Sequence, residues 1–163
     1  MALQINLNAD IAEGWGAYDI GNDAALIKII RSANVACGFH AGDPVIMERT
    51  VRIARDRGVD VGAHVGFPDR QGFGRRPMQI PPVELAAMVT YQIGALAGIA
   101  RAAGHRMTHM SFHGALGNMA AADANLAAPL VEAVAMLPSA PWKLMWVIRC
   151  PAARAMPASA PIW

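Results

Sequence analysis

Asp10, His40, His64 and His113 are the side chains of this sequence best placed to do chemistry. Each closes a short apolar run wrapped in small residues: Asn8-Ala9-Asp10, Cys37-Gly38-Phe39-His40, Gly62-Ala63-His64 and Ser111-Phe112-His113. Imidazoles exchange protons near neutral pH or lend a lone pair to a metal. Glu13, three residues after Asp10, completes a carboxylate pair that can hold Mg2+, orient a water or serve as a base. The other reading is that Asp10 caps a turn before Gly14 and Glu13 is solvated. An Asp with several His also suits a divalent metal such as zinc, with Asp10, His40 and His64 as the ligands. Neither an H-E-x-x-H helix nor a C-x-x-C pair is present to make that a preset zinc motif.

The segments before these residues read as strands, and three of the four endings lead into helical segments. Leu3 to Leu7 alternates apolar and polar with period two. Asn34–Cys37, Val59–Ala63 and Arg106–Phe112 supply three further short strands. Helical patterns cover Asp23–Ser32, Asp43 to Arg57 with Gly58 as its stop, Pro81–Ala103 with Gly104 as its stop, and Asp123–Met136. Asp43-Pro44 starts its helix well, because Asp caps and Pro suits the first helical position. The alternation of strand and helix predicts an α/β fold with a parallel sheet or barrel. In a β/α barrel the C-terminal strand ends share one face, so the four endings would meet there as an enzyme site.

A long loop, Val65 to Ile80, is rich in Gly, Pro and Arg. Its segment Arg70-Gln71-Gly72-Phe73-Gly74-Arg75-Arg76 suits an anion, either a phosphate or a carboxylate. Arg75, Arg76 and the helix-starting Asp43 are therefore candidate substrate- or phosphate-binding residues. The other reading of the arginines is a solvated surface loop, against which the length of the loop favours function, and Asp43 is an N-cap first and a functional carboxylate second. The chain lacks Gly-Lys-Ser/Thr, so this is not a Walker loop. Cys37 lies in an apolar strand and reads as packing. His105 reads as exposed, and His109, inside a strand, could face either way. Tyr91, Met88 and Leu96 on the long helix read as core.

The chain has 163 residues, 55% of them hydrophobic and 16% charged, with a net charge of +2. That composition excludes a disordered chain and supports a domain with a substantial core. The charge is too small for a nucleic-acid partner. So little surface charge predicts subunit contacts, including self-association. Two cysteines make no disulfide framework, no basic leader opens the chain, and the apolar stretch Leu85–Ala100 reads as too short and too polar to span a bilayer. A cytoplasmic protein without a membrane segment is expected. Residues 138–163 differ from the rest: five of eleven prolines and three of four tryptophans lie there, with no acid and no glycine. Residues 1–137 are thus expected to form an incomplete β/α barrel domain, and 138–163 an atypical tail in which Lys143–Ile148 could add one strand.

The sequence resembles the family of 5-oxoprolinase A subunits, also called LamB/YcsF. The residues that carry this are Asn6-Leu7-Asn8-Ala9-Asp10, Ser32 through Asp43, Gly62-Ala63-His64, Gly66-Phe67-Pro68-Asp69, Gly72-Phe73-Gly74-Arg75-Arg76, Tyr91 through Leu96, and His113-Gly114-Ala115-Leu116. The resemblance implies a distorted TIM-like β/α barrel of the glycoside hydrolase/deacetylase type. It implies ATP-dependent opening of 5-oxo-L-proline to L-glutamate in concert with subunits B and C, with Mg2+ or another divalent metal. It would place Asp10 and Glu13 on metal or water, His40, His64 and His113 in acid/base or ligand roles, and Arg75 and Arg76 on anions. Two departures stand out. The family pattern Lys-Pro-His-Gly-Ala-Leu-Tyr is here Ser111-Phe112-His113-Gly114-Ala115-Leu116-Gly117. The chain is also short of the roughly 250 residues usual for a barrel, and its altered composition after Met136 points to a truncated or frameshifted reading frame. Two alternatives follow: a metal-dependent amide hydrolase that needs no ATP, and a non-catalytic fragment that only binds partner subunits.

Overall fold

The computed structural model describes residues 5–135 and 143–144. Five strands, β1 (Asn8–Ile11), β2 (Ser32–Ala36), β3 (Asp60–Val65), β4 (Met107–Phe112) and β5 (Lys143–Leu144), pair in sequence order. Every pairing is parallel. Among the described residues β1 and β5 are the two edges, so the sheet is an open arc of a β/α barrel. The helices are α1 (Asp23–Leu26), α2 (Pro44–Arg57), α3 (Pro82–Ala102), α4 (Gly114–Ala122) and α5 (Ala124–Ala135). The expectations for residues 138–163 lie outside the described residues except for β5, which falls where a strand from Lys143 was expected.

The two faces of the arc differ in chemistry. Strand side chains alternate, so one set faces the helices and the other lines the inside. Ala33, Val35, Val61, Ala63, Val65 and Met110 are buried in one apolar cluster with Ile46, Met47 and Val51 of α2 and Leu85, Val89, Ile93 and Leu96 of α3. The inner face is polar. Register places Asp10, Asn34, Gly62 and His109 across one row, and Ala36, His64 and Ser111 across the next.

Local signals explain the helices that frame the site. Asp43 accepts hydrogen bonds from the Val45 and Ile46 amides, Pro44 follows, and Gly58 closes α2 in the left-handed region at φ 66°. Pro82 opens α3, whose buried stripe is Leu85, Val89, Gln92, Ile93, Leu96 and Ala100. At 21 residues α3 is, by length and composition, long and apolar enough to cross a membrane, which corrects the expectation of a short, polar segment. Its buried stripe packs on the sheet as that of a core helix does, since it joins the same apolar cluster as β3 and β4.

Several sequence expectations shift. The first described strand is Asn8–Ile11, its ladder set by Ser32 to Val35 opposite. Of the expected strand Leu3–Leu7, residues 3 and 4 lie outside the described residues, and Leu7 stands outside β1, accepting bonds from the Arg31 and Ser32 amides. The first helix is a single turn, since the chain must already be extended at Ser32 to pair on both sides. A helix absent from the sequence reading, α4, follows His113 directly; Gly114 and Gly117 had masked it. Tyr91 is exposed at 64% and stacks on Phe39, with ring centroids 5.6 Å apart, whereas Leu96 is buried as expected. Tyr91 falls on the solvent side because the packing stripe passes through its neighbours Gln92 and Ile93.

Candidate active site

Glu13, His40, His64 and His113 converge at the C-terminal ends of the strands. One ligand atom from each lies within 4.8 Å of all the others. His64 comes from the penultimate position of β3, and His113 directly follows β4. His40 comes from the loop between β2 and α2, and Glu13 from the turn after β1. Ala12 takes φ 63° in that turn, a costly conformation for a non-glycine, and its amide is held by Asp23 Oδ2 at 2.9 Å. Asp10 stands beside the cluster, with Oδ2 3.5 Å from His64 Nε2 and Oδ1 accepting from Asn34 Nδ2 at 2.8 Å.

The imidazoles are held from several sides. His64 Nδ1 is 2.7 Å from Ser111 Oγ, and His64 Nε2 is 2.9 Å from His113 Nδ1. His113 Nε2 donates to the Phe73 carbonyl at 2.7 Å. Phe73 also has positive φ, 52°, so a second strained residue abuts the site. The rings of His40 and His113 stack at 3.9 Å with 4° between planes. Both ring nitrogens of His40 are buried without a hydrogen-bond partner among the described residues. Glycines make the room: a methyl group on Gly74 would meet His40 and His113, and one on Gly66 would meet the His40 ring. Gln92 reaches down from α3 to bond both the amide and the carbonyl of Gly66, at 3.1 and 3.0 Å, which fixes the loop against His40.

Burial sets the charge state of this cluster. It lowers His40 from 6.5 to about 3, helped by His113, and it lowers His64 to about 4 against the opposing pull of Asp10. Both are therefore neutral at pH 7 and able to lend a lone pair, while burial opposes their protonation. Burial raises Glu13, partly offset by His64 and Arg75.

The other residues named from sequence divide. Arg75 is exposed beside the cluster, its guanidinium 5.5 Å from the Phe73 ring and close enough to pull Glu13 downward. Arg76 instead pairs with Asp69, whose carboxyl is held at about 2 by that hydrogen bond. Asp43 spends Oδ1 on the α2 amides and Oδ2 on the Gly16 amide at 2.8 Å, so it is not brought into the cluster. Arg70 ties the Gly38–Gly42 loop through two carbonyls and lies over the Trp15 ring. Cys37 is buried, and burial pushes its thiol up to about 12, consistent with packing. His105 is half-buried rather than exposed, because Nε2 bonds the Val59 carbonyl at 3.0 Å.

Sequence reasoning missed the layer below. His109 points inward, with Nε2 3.0 Å from Asn34 Oδ1, while Asn34 Nδ2 bridges Asn8 and Asp10. The usable signal was phase: His109, Ser111 and His113 share one side of a period-two run. Ser111 stands where the resemblance led to a basic residue, and it meets His64 instead.

Comparison with known proteins agrees with the fold. The LamB/YcsF family model matches residues 5–156. The chain is 70% identical over 133 residues to the first 5-oxoprolinase A subunit of Pseudomonas syringae pv. tomato, covering 82% of this chain and 52% of that protein. It is 68% identical over 133 residues to the second 5-oxoprolinase A subunit of Ralstonia nicotianae, covering 82% and 51%. Among solved structures, the lactam utilization protein from Thermus thermophilus superposes with a TM-score of 0.82 at 44% identity, covering 88% of this chain and 58% of that one. The chain thus spans about half the length of the curated relatives it matches. With the family match running through every strand end that builds the histidine cluster, the chain belongs to the LamB/YcsF family.

Proposed function

We propose that this chain provides the lactam-handling site of an ATP-dependent 5-oxoprolinase, as its A subunit, opening 5-oxo-L-proline to L-glutamate with subunits B and C in the cytoplasm. The observation that carries this is the convergence of Glu13, His40, His64 and His113 in a chain so close to proteins named as the A subunit of 5-oxoprolinase. A five-membered lactam is an unreactive amide, so its carbonyl needs activation and its ring nitrogen needs a proton to leave. ATP, when bound, supplies the phosphoryl group that activates the lactam oxygen. The residues fit an anionic co-substrate in two respects. Arg75 makes no ion pair among the described residues and overlooks the cluster. Asp10, its side chain 48% exposed, is the carboxylate open to a Mg2+ ion.

Within the site, Glu13, which burial makes a stronger base, and the imidazoles beside it are positioned to take a proton from an attacking water. The acid so formed can return that proton to the ring nitrogen as the C–N bond breaks, leaving an acyl phosphate that a second water hydrolyses to glutamate and phosphate. Arg75 would meet the substrate carboxylate or a phosphate. His64, bonded on both nitrogens, is the best held of the three rings. The test combines this chain with subunits B and C and follows glutamate and ADP from 5-oxo-L-proline and ATP. His64→Ala should lower turnover at least about 100-fold, the usual weight of a general acid or base, with the melting curve retained. Near-wild-type turnover would reject the assignment. Glutamate formed at the same rate without ATP would favour a second reading, a metal-dependent amide hydrolase, which the imidazole-rich composition of the cluster also suits.

A further inference from the structure

We propose that Glu13, His40, His64 and His113 form a binding site for one divalent transition metal, taking zinc in strong preference to magnesium. Three imidazoles and one carboxylate are a nitrogen-rich set, which suits zinc and its neighbours, whereas Mg2+ demands oxygen ligands. The hydrogen bonds around the cluster are those of ligating histidines. A ligating imidazole normally donates its second nitrogen to an oxygen acceptor, which fixes its tautomer. His113 Nε2 does so to the Phe73 carbonyl, leaving the Nδ1 lone pair facing the cluster. His64 Nδ1 has Ser111 Oγ as its partner, and its inward Nε2, which donates to His113 Nδ1 at 2.9 Å, would exchange that proton for the metal as Nδ1–H turns to donate to Ser111 Oγ.

His40 is the independent observation. It is fully buried, its side-chain exposure is 0%, and neither ring nitrogen has a partner among the described residues. A buried polar atom left unpaired is costly, so such a group in a built site is waiting for a ligand. Its Nε2 is aimed at Glu13 Oε1, 3.7 Å away. His113 Nδ1 is 3.9 Å from the same oxygen and 2.9 Å from His64 Nε2. Donors on a tetrahedral zinc with bonds of about 2.0–2.1 Å stand about 3.3–3.4 Å apart. The separations of 2.9, 3.7 and 3.9 Å straddle that value, and with all four donors within 4.8 Å of one another the widest pair has to close by up to about 1.4 Å around a metal. The glycines at 66 and 74 and the Gln92 clamp hold His40 where it can complete the set.

This site uses the same side chains as the lactam reading, and a group that ligates the metal would not serve as the base while the metal is bound; it is tested apart from that reading, with no substrate present. The 163-residue chain is stripped with chelator and titrated calorimetrically with ZnCl2 and, separately, MgCl2. One Zn2+ per chain is expected, with no measurable heat from Mg2+ at the same concentrations and a higher melting temperature in zinc. Co2+ should bind with the intense visible absorption of a four-coordinate ion. His40→Ala and Glu13→Gln should each weaken zinc at least tenfold, while His105→Ala, remote from the cluster, should leave it unchanged. Circular dichroism melts identify variants that fold, and the milder Glu13→Gln keeps the test open if His40→Ala does not. The proposal is overturned if the folded wild-type chain takes up no zinc, if Mg2+ binds equally well, or if folded variants bind zinc as the wild type does.

Discussion

At the scale of single residues, the site is defined as much by which charges are already engaged as by which are present. Arg75 and Arg76 are neighbours of one type, yet Arg76 is committed to Asp69 while Arg75 stands beside the imidazoles. Their substitutions should therefore behave differently. Arg75→Ala removes the cation open to a substrate carboxylate or phosphate, and a lost charged hydrogen bond is worth about 1.5–3 kcal/mol, or roughly 10–100-fold in affinity. Arg76→Ala should instead loosen the loop that Asp69 organises through the Gly72 amide, lowering the melting temperature with little effect on affinity. Isothermal titration with 5-oxo-L-proline and with ATP separates them. Weakened binding in Arg76→Ala alone would reverse the assignment.

At the scale of elements, the inner face of the arc depends on strand positions small enough to admit large polar neighbours. Gly62 is the clearest case, because a methyl group there would overlap the His109 ring. Gly62→Ala should cost about 1–3 kcal/mol, the usual penalty for overpacking, whereas Gly94→Ala on the open side of α3 should be neutral or stabilising by about 0.5–1 kcal/mol. Urea midpoints for the two variants check this, and equal midpoints would contradict the packing. These elements also show what was legible in the sequence. The ends at His64 and His113 could be read because an apolar run stops at an imidazole, and α2 because Asp43-Pro44 and Gly58 bracket it. Asn34 and His109 were hidden because a strand in a barrel is buried on both faces, and a polar residue satisfied by another strand carries no local mark of its partner. The strain at Ala12 and Phe73 was equally invisible, since nothing about alanine or phenylalanine announces positive φ.

At the scale of the whole molecule, buried neutral histidines make stability depend on pH. In the unfolded chain His40 and His64 take a proton near pH 6.5, whereas in the fold burial holds them to about 3 and about 4. Their folded pKa values are depressed, so between pH 6.5 and 4 the unfolded state binds more protons. Stability should be complete above pH 6.5 and fall as the pH drops toward 4. The slope is about 1.4 kcal/mol per pH unit for each histidine. Denaturant titrations of the metal-free chain across that window provide the check, and a flat stability profile from about pH 6.5 to about 4.5 would mean the rings are not buried neutral.

The proposed handling of the lactam at the histidine cluster can be read at the rings themselves. The most direct measurement is the NMR signal of each histidine Cε1–H, followed while 5-oxo-L-proline is added to this chain in the presence of ATP. Saturable shifts are predicted at His40, His64 and His113, with His105, bonded to the Val59 carbonyl away from the cluster, unmoved. Shifts confined to His105, or none at the three clustered rings while the lactam binds, would contradict that role.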